Sequence, residues 1–453
     1  MSERTVVVGG GLAGIAAALR LAEAGREVTL LEGRPRLGGA AFSFRRGELT
    51  IDNGQHVFLR CCAAYRWLLE RISGTSSTLL QPHLDIPVLA ADGRVAHLRR
   101  TPHVPAPAHL TAALATYGVL GAADRLRATR AALALRMLDP ADPALDQHSL
   151  GAFLRRNGQS EALIERLWGI VATATLNLAP DDASLALAAK VFRTGLLDHA
   201  GAADVGYATV PLGELHGTRA RAALERHGVE VLVNHRVEQL SAGNVLRVRS
   251  RRGVQQLASD GVVLAVPPRV LFDLAPALRG TAAGRAEQLG TAPIVNVHVV
   301  YNRAVTDLPF AAAVDSPVQW VFDRTASSGV ARTIPGAQYL AVTVSAADAI
   351  VDVASKELTA QFTQALARLL PAARRATVLD AFVTRERHAT FRQQVGSAAL
   401  RPTPDPGLDG VRLAGAWTAT GWPDTMEGAV RSGVAAAQSL LGQHAPAHLG
   451  FAA

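Results

Sequence analysis

Cysteine is nearly absent from this sequence, and the two that occur cannot build a scaffold. Cys61 and Cys62 are adjacent, and neighbouring residues lie closer together than the Cα separation that a disulfide normally requires. Two thiolates are also too few for a zinc site made from cysteine. We therefore exclude a disulfide scaffold and a cysteine-based metal site, expect no metal, and expect a reducing compartment such as the cytoplasm.

Long apolar runs and aromatic residues are also scarce. The longest stretch without Asp, Glu, Lys or Arg covers residues 101–123, but its prolines leave too short a continuous segment for a helix that spans a bilayer. Aromatic residues make up 5% of the chain, and no dense basic run is interleaved with them, so the net charge of +8 does not indicate nucleic-acid binding. The charge instead suits a polyanionic cofactor or an anionic membrane surface.

Apolar and basic residues are what the sequence has in quantity. Hydrophobic residues make up 49% of the 453 positions, so the chain can bury a large core, and its length predicts two or three domains. Of the 46 basic residues only Lys190 and Lys356 are lysines, so the positive charge is carried almost entirely by arginine.

A glycine-rich turn follows the first predicted strand, residues 4–8. Gly9 permits a tight turn, Gly11 lets the backbone approach a pyrophosphate, and Gly14 lets the following helix pack closely on the strand. A second predicted strand, 27–31, ends at an acid that suits a ribose hydroxyl and disfavours a 2′-phosphate. The alternative is a glycine-rich turn in an ordinary α/β domain. The pattern predicts a dinucleotide site formed by Gly9, Gly11, Leu12, Ala13, Gly14 and Glu32.

The segment after this acid resembles the FAD-dependent amine oxidase and carotenoid desaturase superfamily, whose members carry an acid, two arginines and a glycine pair at this spacing. The resemblance implies FAD, with Arg36 neutralising the pyrophosphate and the glycine pair passing close to the cofactor. Many members have arginine where this chain has Ala40, so a contact from that side chain is not expected. The alternative for both arginines is a solvated loop. The residues expected to contribute are Gly33, Arg34, Arg36, Gly38 and Gly39.

Residues 51–58 match the superfamily segment that runs along the flavin ring. The resemblance implies that Gly54 allows contact with the ring and that Gln55 and His56 lie near it. His56 could act as a general acid or as a hydrogen-bond donor to flavin, and the alternative is a buried structural histidine.

The C-terminal part resembles the second FAD motif of the same superfamily. A strand ends near residue 417, and residues 421–430 open a helix whose N-terminus would reach the flavin. The resemblance implies that Gly415 gives backbone access to the pyrophosphate and ribityl chain. It also implies that the Met426 amide donates toward flavin and that Val237 contacts the adenine through its backbone. Asp424 is a second candidate proton donor, provided that burial raises its pKa.

We therefore predict an α/β fold in which a Rossmann-like FAD-binding domain is interleaved with an α+β substrate domain. The FAD-binding domain takes residues 1–75, 206–272 and 406–453, and the substrate-binding domain takes 76–205 and 273–405. Helices are predicted over 110–138, 150–163, 184–197 and 355–370. Strands are predicted over 293–301, 318–322, 338–344 and 377–384, and a hairpin over 245–257. A further strand is predicted to begin after residue 228 and to continue to Leu240.

Several shorter runs resemble the hydroxysqualene dehydroxylases of bacterial squalene and hopanoid synthesis. These runs are 52–59 with Cys61, Cys62 and Tyr65, then 167–168, 175–177, 389–391, 401–402 and 421–433. The resemblance covers nearly the whole chain. It implies reductive removal of the allylic hydroxyl of hydroxysqualene, with His56 preferred over Asp424 as proton donor. The alternatives are a carotenoid-type desaturase, then an amine or porphyrinogen oxidase, and last a non-enzymatic FAD-binding protein.

The expected partners are a long-chain isoprenoid substrate and an electron donor that the sequence does not identify. The arginines that follow the charge-free stretch, Arg125, Arg127, Arg130 and Arg136, would suit peripheral contact with anionic lipid on the inner face of the cytoplasmic membrane. The alternative is a domain surface with ordinary solvated arginines.

Overall fold

A computed structural model describes residues 3–443, in which helices and strands alternate along the chain. The strands are β1 (Arg4–Val8), β2 (Glu27–Glu32), β3 (Ser43–Arg46), β4 (Leu49–Asp52), β5 (Val57–Leu59), β6 (Thr78–Leu80), β7 (Asp85–Ala90), β8 (Val95–Arg99), β9 (Val205–Ala208), β10 (Glu230–Val233), β11 (Arg236–Ser241), β12 (Val245–Ser250), β13 (Gly253–Ala258), β14 (Gly261–Leu264), β15 (Thr291–Tyr301), β16 (Phe310–Val314), β17 (Trp320–Asp323), β18 (Gln338–Val344), β19 (Val378–Phe391) and β20 (Val411–Leu413). The helices are α1 (Leu12–Glu23), α2 (Ala63–Arg71), α3 (Thr111–Thr116), α4 (Ala122–Arg136), α5 (Leu150–Arg156), α6 (Glu161–Leu163), α7 (Gly169–Leu176), α8 (Leu185–Phe192), α9 (Ala220–Arg226), α10 (Pro268–Leu274), α11 (Thr325–Ser328), α12 (Val330–Thr333), α13 (Ser355–Leu369) and α14 (Met426–Leu440).

A five-stranded parallel sheet, in the order β10-β2-β1-β14-β20, combines strands from both ends and the middle of the chain. Its central strand is buried on both faces, which explains the uninterrupted valine run that the sequence shows. Val7 packs toward α1 and α14, whereas Val6 and Val8 pack toward the antiparallel sheet β11-β12-β13. The parallel sheet is therefore the middle of three layers.

A seven-stranded mixed sheet, in the order β19-β15-β18-β17-β16-β7-β8, lies in the other half of the fold. It takes β7 and β8 from residues 76–205 and its other strands from 273–405, the two ranges that the sequence assigned to one substrate domain. α13 covers one face through Val295, Val297 and Val299. The other face carries Asn296 and His298, whose side chains reach the segment after β4 and the neighbouring strands. The division into two domains stays a prediction.

The predicted β1-α1-β2 unit, the β12-β13 hairpin and the start of the C-terminal helix α14 are confirmed. The predicted single helix over 110–138 is wrong. α3 ends at Thr116 and α4 begins only at Ala122, because Gly118 and Gly121 lie between them and glycine is a poor helix former. The buried Tyr117 occupies the break and donates from its hydroxyl to the Arg166 carbonyl at 2.8 Å.

Two strand features also differ from the prediction. Residues 76–205 contain the β7-β8 hairpin, which was not predicted although its turn includes Asp92 and Gly93, a typical hairpin signal. The strand after residue 230 was expected to run on to Leu240. Instead Asn234 has φ of 57°, the chain turns there, and β10 and β11 belong to different sheets.

Candidate functional site

The glycine-rich turn lies between β1 and α1, and two of its glycines are required by close packing. A Cβ on Gly9, whose φ is 109°, would lie 2.3 Å from the Ala265 carbonyl oxygen, and one on Gly14 would lie 1.9 Å from the Gly9 oxygen. Gly11 differs, because the nearest atom to its Cβ position is the Gly39 Cα at 3.7 Å. The space beside Gly11 thus faces the start of α1, where the first-turn amides of Leu12 and Ala13 have no partner within the helix.

Glu32 and the glycine pair meet this turn, as the sequence predicted. The Gly10 amide donates to Glu32 Oε2 at 2.8 Å, and the Arg34 amide donates to Glu32 Oε1 at 2.7 Å. The Gly38 amide donates to the Gly10 carbonyl at 2.9 Å. These bonds bring the acid, the first turn and the 33–39 loop to one end of the parallel sheet, where ligands of open α/β folds bind.

The two arginines of this loop have different surroundings. Arg36 is half-buried, with its guanidinium carbon 3.4 Å from the centre of the Phe42 ring and Nη1 donating to the Gly39 carbonyl at 3.2 Å. Burial, and secondarily the charge of Arg34, lower the pKa of Arg36. Arg34 is exposed, in agreement with a solvated side chain. Arg36 is therefore the arginine that lies against the glycine pair.

Gly33 and the start of β11, the strand that contains Val237, lie beside Glu32. A Cβ on Gly33 would contact Arg236 Cβ at 3.5 Å. The His235 amide donates to the Glu32 carbonyl at 2.9 Å, which places the start of β11 beside the end of β2. Val237 is buried there. Its backbone contact with adenine stays a prediction.

The segment that contains Gly54 is fixed by two buried asparagines. Asn53 Nδ2 donates to the Ala40 carbonyl at 2.7 Å, which links this segment to the glycine pair. Asn296 on β15 donates to the Asn53 carbonyl at 3.0 Å and accepts from Thr343 Oγ1 at 2.8 Å. A Cβ on Gly54 would lie 3.6 Å from Asn296 Nδ2. Asn296 was not predicted from the sequence, although a polar residue within the apolar run of β15 is a signal.

A buried ion pair holds the strand that leads into this segment. Arg324 Nη2 lies 2.8 Å from Asp52 Oδ2, and Nη1 donates to the Ala208 carbonyl at 2.9 Å. The other carboxylate oxygen of Asp52 accepts from Ser43 Oγ at 2.6 Å and from the Leu212 amide at 2.9 Å. Such a network is strongly destabilised when one partner is removed. Nothing in the sequence around Arg324 indicated that it would pair with Asp52.

Gln55 and His56 provide polar groups next to Gly54. Nε2 of Gln55 is buried and has no hydrogen-bond partner among residues 3–443. His56 Nδ1 lies 3.3 Å from the Gly54 carbonyl oxygen, and burial lowers the pKa of His56. An orphaned buried donor is rare in folded proteins and indicates a missing acceptor. The carbonyl oxygens and ring nitrogens of a flavin are acceptors of that kind, so this segment fits the cofactor.

The C-terminal segment is held by one arginine that the sequence analysis assigned no role. Arg401 is buried, and its guanidinium donates to the carbonyls of Ala416 at 2.9 Å and Trp422 at 2.8 Å. Nε and Nη2 also donate to the Thr418 carbonyl at 3.0 and 2.6 Å. Burial lowers the pKa of Arg401 to about 10. One guanidinium thus shapes the whole loop between β20 and α14.

Gly415 and Met426 lie at the two ends of this loop. Gly415 has φ of 143°, and its amide donates to Ser432 Oγ on α14 at 2.8 Å. Met426 is the first residue of α14, and Thr425 caps the helix by accepting from the Gly428 amide. α14 packs directly on α1, because a Cβ on Gly433 would lie 2.0 Å from the Ala13 oxygen. The two predicted cofactor motifs therefore meet through their helices.

Asp424 lies just before α14. Its Oδ2 accepts from the Phe391 amide at 2.7 Å, and its own amide donates to Gln393 Oε1 at 2.9 Å. Burial raises the pKa of Asp424 to about 6, against the opposing influence of the Phe391 amide and Arg401. Asp424 thus holds a proton at higher pH than an ordinary aspartate, which is the condition that the sequence analysis set for its role as an acid.

Within residues 3–443, no group of three or more His, Cys, Asp or Glu side chains is placed to hold a metal ion. Cys61 and Cys62 are both free thiols, and Cys62 caps α2. None of the helices in the described part of the chain has the length and apolar character needed to span a bilayer.

Comparison with known proteins identifies the family. The family model for flavin-containing amine oxidoreductases matches residues 12–441. The hydroxysqualene dehydroxylase of Sinorhizobium fredii is 29% identical over 98% of this chain and 99% of its own, and that of Rhodopseudomonas palustris is 30% identical over 97% and 99%. A zeta-carotene desaturase of Synechocystis is 24% identical over 98% of each chain.

A solved structure shows the same fold at low sequence identity. Cyclohexylamine oxidase from Brevibacterium oxydans superposes with a TM-score of 0.64 at 18% identity, covering 98% of this chain and 99% of that one. Because the family model covers most of the chain and the site fits a flavin dinucleotide, the chain belongs to the flavin-containing amine oxidoreductases and is an FAD-dependent oxidoreductase.

Proposed function

We propose that the chain is a hydroxysqualene dehydroxylase, which converts hydroxysqualene to squalene in squalene and hopanoid synthesis. The observation that carries the proposal is the similarity to two proteins of that name along nearly the whole of both chains. In the reaction the allylic C–O bond breaks, the oxygen takes up a proton and leaves as water, and a C–H bond takes its place. Reduced FAD supplies the hydride when it is bound.

The proposed cofactor contacts follow from the geometry of the site. The α1 N-terminus beside Gly11 offers amides and a helix dipole to the pyrophosphate, and Arg36 adds a fixed positive charge. Glu32 lies where a ribose hydroxyl would be bound. Gln55 Nε2 and the first amide of α14, that of Met426, donate toward the polar edge of the flavin ring. Donors that are already in place where negative charge develops favour reaction.

We infer that Asp424, rather than His56, is the proton donor. Burial raises the pKa of Asp424 to about 6, so a useful fraction of it is protonated near neutral pH. Burial lowers the pKa of His56, so its imidazole is neutral there and lacks the extra proton of an acid. This proposal differs from the order that the sequence suggested, in which His56 was preferred. His56 keeps the role of a neutral hydrogen-bond donor next to Gly54.

We place part of the isoprenoid chain in a cavity of about 340 Å³ between α7 and the β16-β17 strands. Apolar residues that line it include Ile164, Ile170, Val318 and Trp320. Trp320 pairs with Thr343, which pairs with Asn296, so this cavity and the Gly54 segment lie along one row of the seven-stranded sheet. The apolar part of this lining suits an isoprenoid chain, whereas Glu165, Arg166 and Asp315 give the cavity a charged part.

The second candidate is a carotenoid-type desaturase, favoured by the similarity to the zeta-carotene desaturase. Such an enzyme would use the same site in the opposite redox direction, removing hydride from a saturated carbon. Amine or porphyrinogen oxidation ranks third, and a non-enzymatic FAD-binding role ranks last.

Anaerobic incubation of the photoreduced holoenzyme with hydroxysqualene, followed by analysis of the extracted lipids, tests the proposal. We expect squalene from the reduced enzyme and none from the oxidised enzyme. Light supplies the electrons, so the assay does not require the unidentified physiological donor. A desaturated product from a saturated precursor under oxidising conditions, with no squalene under reducing ones, would assign the chain to the desaturases.

A further inference from the structure

α4 carries apolar side chains on two opposite faces. Ala128, Ala131 and Leu135 are buried against the rest of the fold. Leu126 and Leu133 share one side of the helix, because a separation of seven residues nearly completes two helical turns. This side is opposite the buried one. Only one of the two apolar faces is covered by the described residues.

The uncovered face contains three of the most exposed large apolar side chains in the described structure. Leu126 is 75% exposed, Leu133 is 51% exposed, and Met137, which caps the helix, is 85% exposed. Single exposed apolar residues are ordinary, but several on one helical face indicate an interaction surface. We call the face formed by Leu126, Arg130, Leu133 and Met137 the α4 outer face.

Positive charge surrounds this face. Arg130 lies within it and is exposed, and Arg127 and Arg136 flank it. Within α4 the only acid is Asp124, which lies 3.1 Å from Arg127 and leaves that arginine 54% exposed. Arg136 lies 3.9 Å from one acid outside the helix, Asp198, and the next acids along the chain, Asp139 and Asp142, come only after the helix has ended. The outer face therefore combines an apolar centre with a basic rim.

We propose that the α4 outer face docks the protein on the surface of an anionic lipid bilayer. Leu126, Leu133 and Met137 would enter the boundary between headgroups and acyl chains, and the arginines would contact lipid phosphates. Since no described helix can span a bilayer, the contact is peripheral. The inference goes beyond the proposed reaction and stands on this surface alone.

A second copy of the chain fits the same face poorly. In a symmetric dimer the face would meet itself, and the arginines within and around it would oppose their own copies. Like charges brought together across an interface oppose association. A bilayer that contains anionic lipid supplies the opposite charge along the whole face.

The docking helix also lies next to the proposed substrate cavity. Tyr117, in the connection between α3 and α4, donates to the carbonyl of Arg166, a residue that lines the cavity. Gln159 donates to the Arg127 carbonyl on α4 at 2.9 Å and accepts from the indole of Trp168 at 3.0 Å. Direct contacts thus join α4 and the connection before it to the segment that lines the cavity, so docking would bring that segment close to the lipid.

Vesicle flotation of the FAD-loaded protein tests the proposal. We expect the wild type to float with vesicles of phosphatidylcholine and phosphatidylglycerol and to bind pure phosphatidylcholine vesicles at least tenfold less. The double variant L126E/L133E should lose at least tenfold in affinity for the mixed vesicles. The matched control is L379E, which changes another exposed leucine. Leu379 lies on β19, at the edge of the seven-stranded sheet opposite β8.

Further measurements separate docking from folding and from the reaction. Flavin absorbance, melting temperature and turnover of detergent-dispersed hydroxysqualene should be unchanged in L126E/L133E, and R127A/R130A should weaken the salt dependence of vesicle binding. Vesicle binding without squalene formation would support this inference and overturn the proposed reaction. Equal vesicle binding by wild type and L126E/L133E would overturn the inference. So would a wild-type dimer in solution that the double variant abolishes, because the face would then belong to a second copy.

Discussion

The two ends of the chain reach the proposed cofactor site in different ways. The N-terminal turn is held by backbone packing, since a Cβ on Gly14 would lie 1.9 Å from the Gly9 oxygen. The C-terminal loop is held by the guanidinium of Arg401, which binds carbonyls from Ala416 to Trp422. A segment held by packing has no room for an added atom, whereas a segment held by one side chain depends on a residue outside itself.

Removal of Arg401 should have the largest effect. In Arg401→Met the carbonyls of the loop lose their donor, and each buried acceptor left unpaired costs about 1–3 kcal/mol. We expect the free energy of unfolding to fall by at least about 3 kcal/mol and FAD to be released, as measured by urea unfolding and flavin fluorescence. The matched control is Arg387→Met, which breaks only an exposed pair with Asp352. Equal stability of the two variants would contradict the account of the loop.

A methyl group on Gly14 tests the packing of the N-terminal turn. Gly14→Ala should lower the free energy of unfolding by about 1–3 kcal/mol, because the added atom forces α1 away from the turn. Gly217→Ala is the control, since a Cβ there meets no atom within 4 Å. Thermal unfolding of both variants measures the difference. If Gly14→Ala were as stable as its control, the turn would not be held by packing.

Substitution of Asp424 tests whether the C-terminal loop also supplies the proton donor of the reaction. Its pKa is raised from 3.8 to about 6, so the folded state favours the neutral form and loses stability as the pH rises between these values. Asp424→Asn should therefore gain stability relative to wild type from pH 4 to pH 7, while squalene formation falls by at least tenfold. The wild-type rate should fall as the pH rises through about 6. An unchanged pH profile in Asp424→Asn would remove this residue from proton transfer.

Gly11→Ala should have the smallest effect on stability and sharpens the contrast with Gly14. The new methyl would have the Gly39 Cα as its nearest neighbour at 3.7 Å, so we expect the apoprotein to keep its unfolding free energy within about 0.5 kcal/mol. FAD affinity should fall, because the methyl occupies the space proposed for the pyrophosphate. Titration of the apoprotein with FAD measures this, and unchanged affinity would place the pyrophosphate elsewhere.

Local patterns predicted the parts of the site that are built locally. Gly9, Gly14 and Glu32 lie within one strand-turn-helix-strand unit, so their spacing in the sequence already defines their arrangement. Arg324, Asn296 and Arg401 were missed because their partners are distant in the chain. The Arg324 to Asp52 contact joins residues 272 positions apart. Asn296 is a polar residue in an apolar strand and Arg401 follows a long strand, but neither signal shows which groups will be bound, and Arg324 has no local signal at all.

The substrate half was predicted less well for a related reason. The apolar residues of 110–138 fit a helical period, but the period does not show that Gly118 and Gly121 divide it or which face is covered. The β16 strand contains three consecutive alanines, a residue with low strand propensity, and it forms because β7 and β17 pair with it. Pairing between distant strands decided the structure there.

A single turnover in D₂O tests the proposed hydride transfer from FAD to the substrate. The photoreduced, FAD-loaded protein is mixed anaerobically with hydroxysqualene, and the squalene is analysed by mass spectrometry. We predict about one squalene per reduced FAD, with one deuterium at the carbon that carried the hydroxyl, because the transferable hydrogen of reduced flavin exchanges with solvent. Flavin that stays reduced with no squalene formed, or squalene that carries no deuterium at that carbon, would contradict the account.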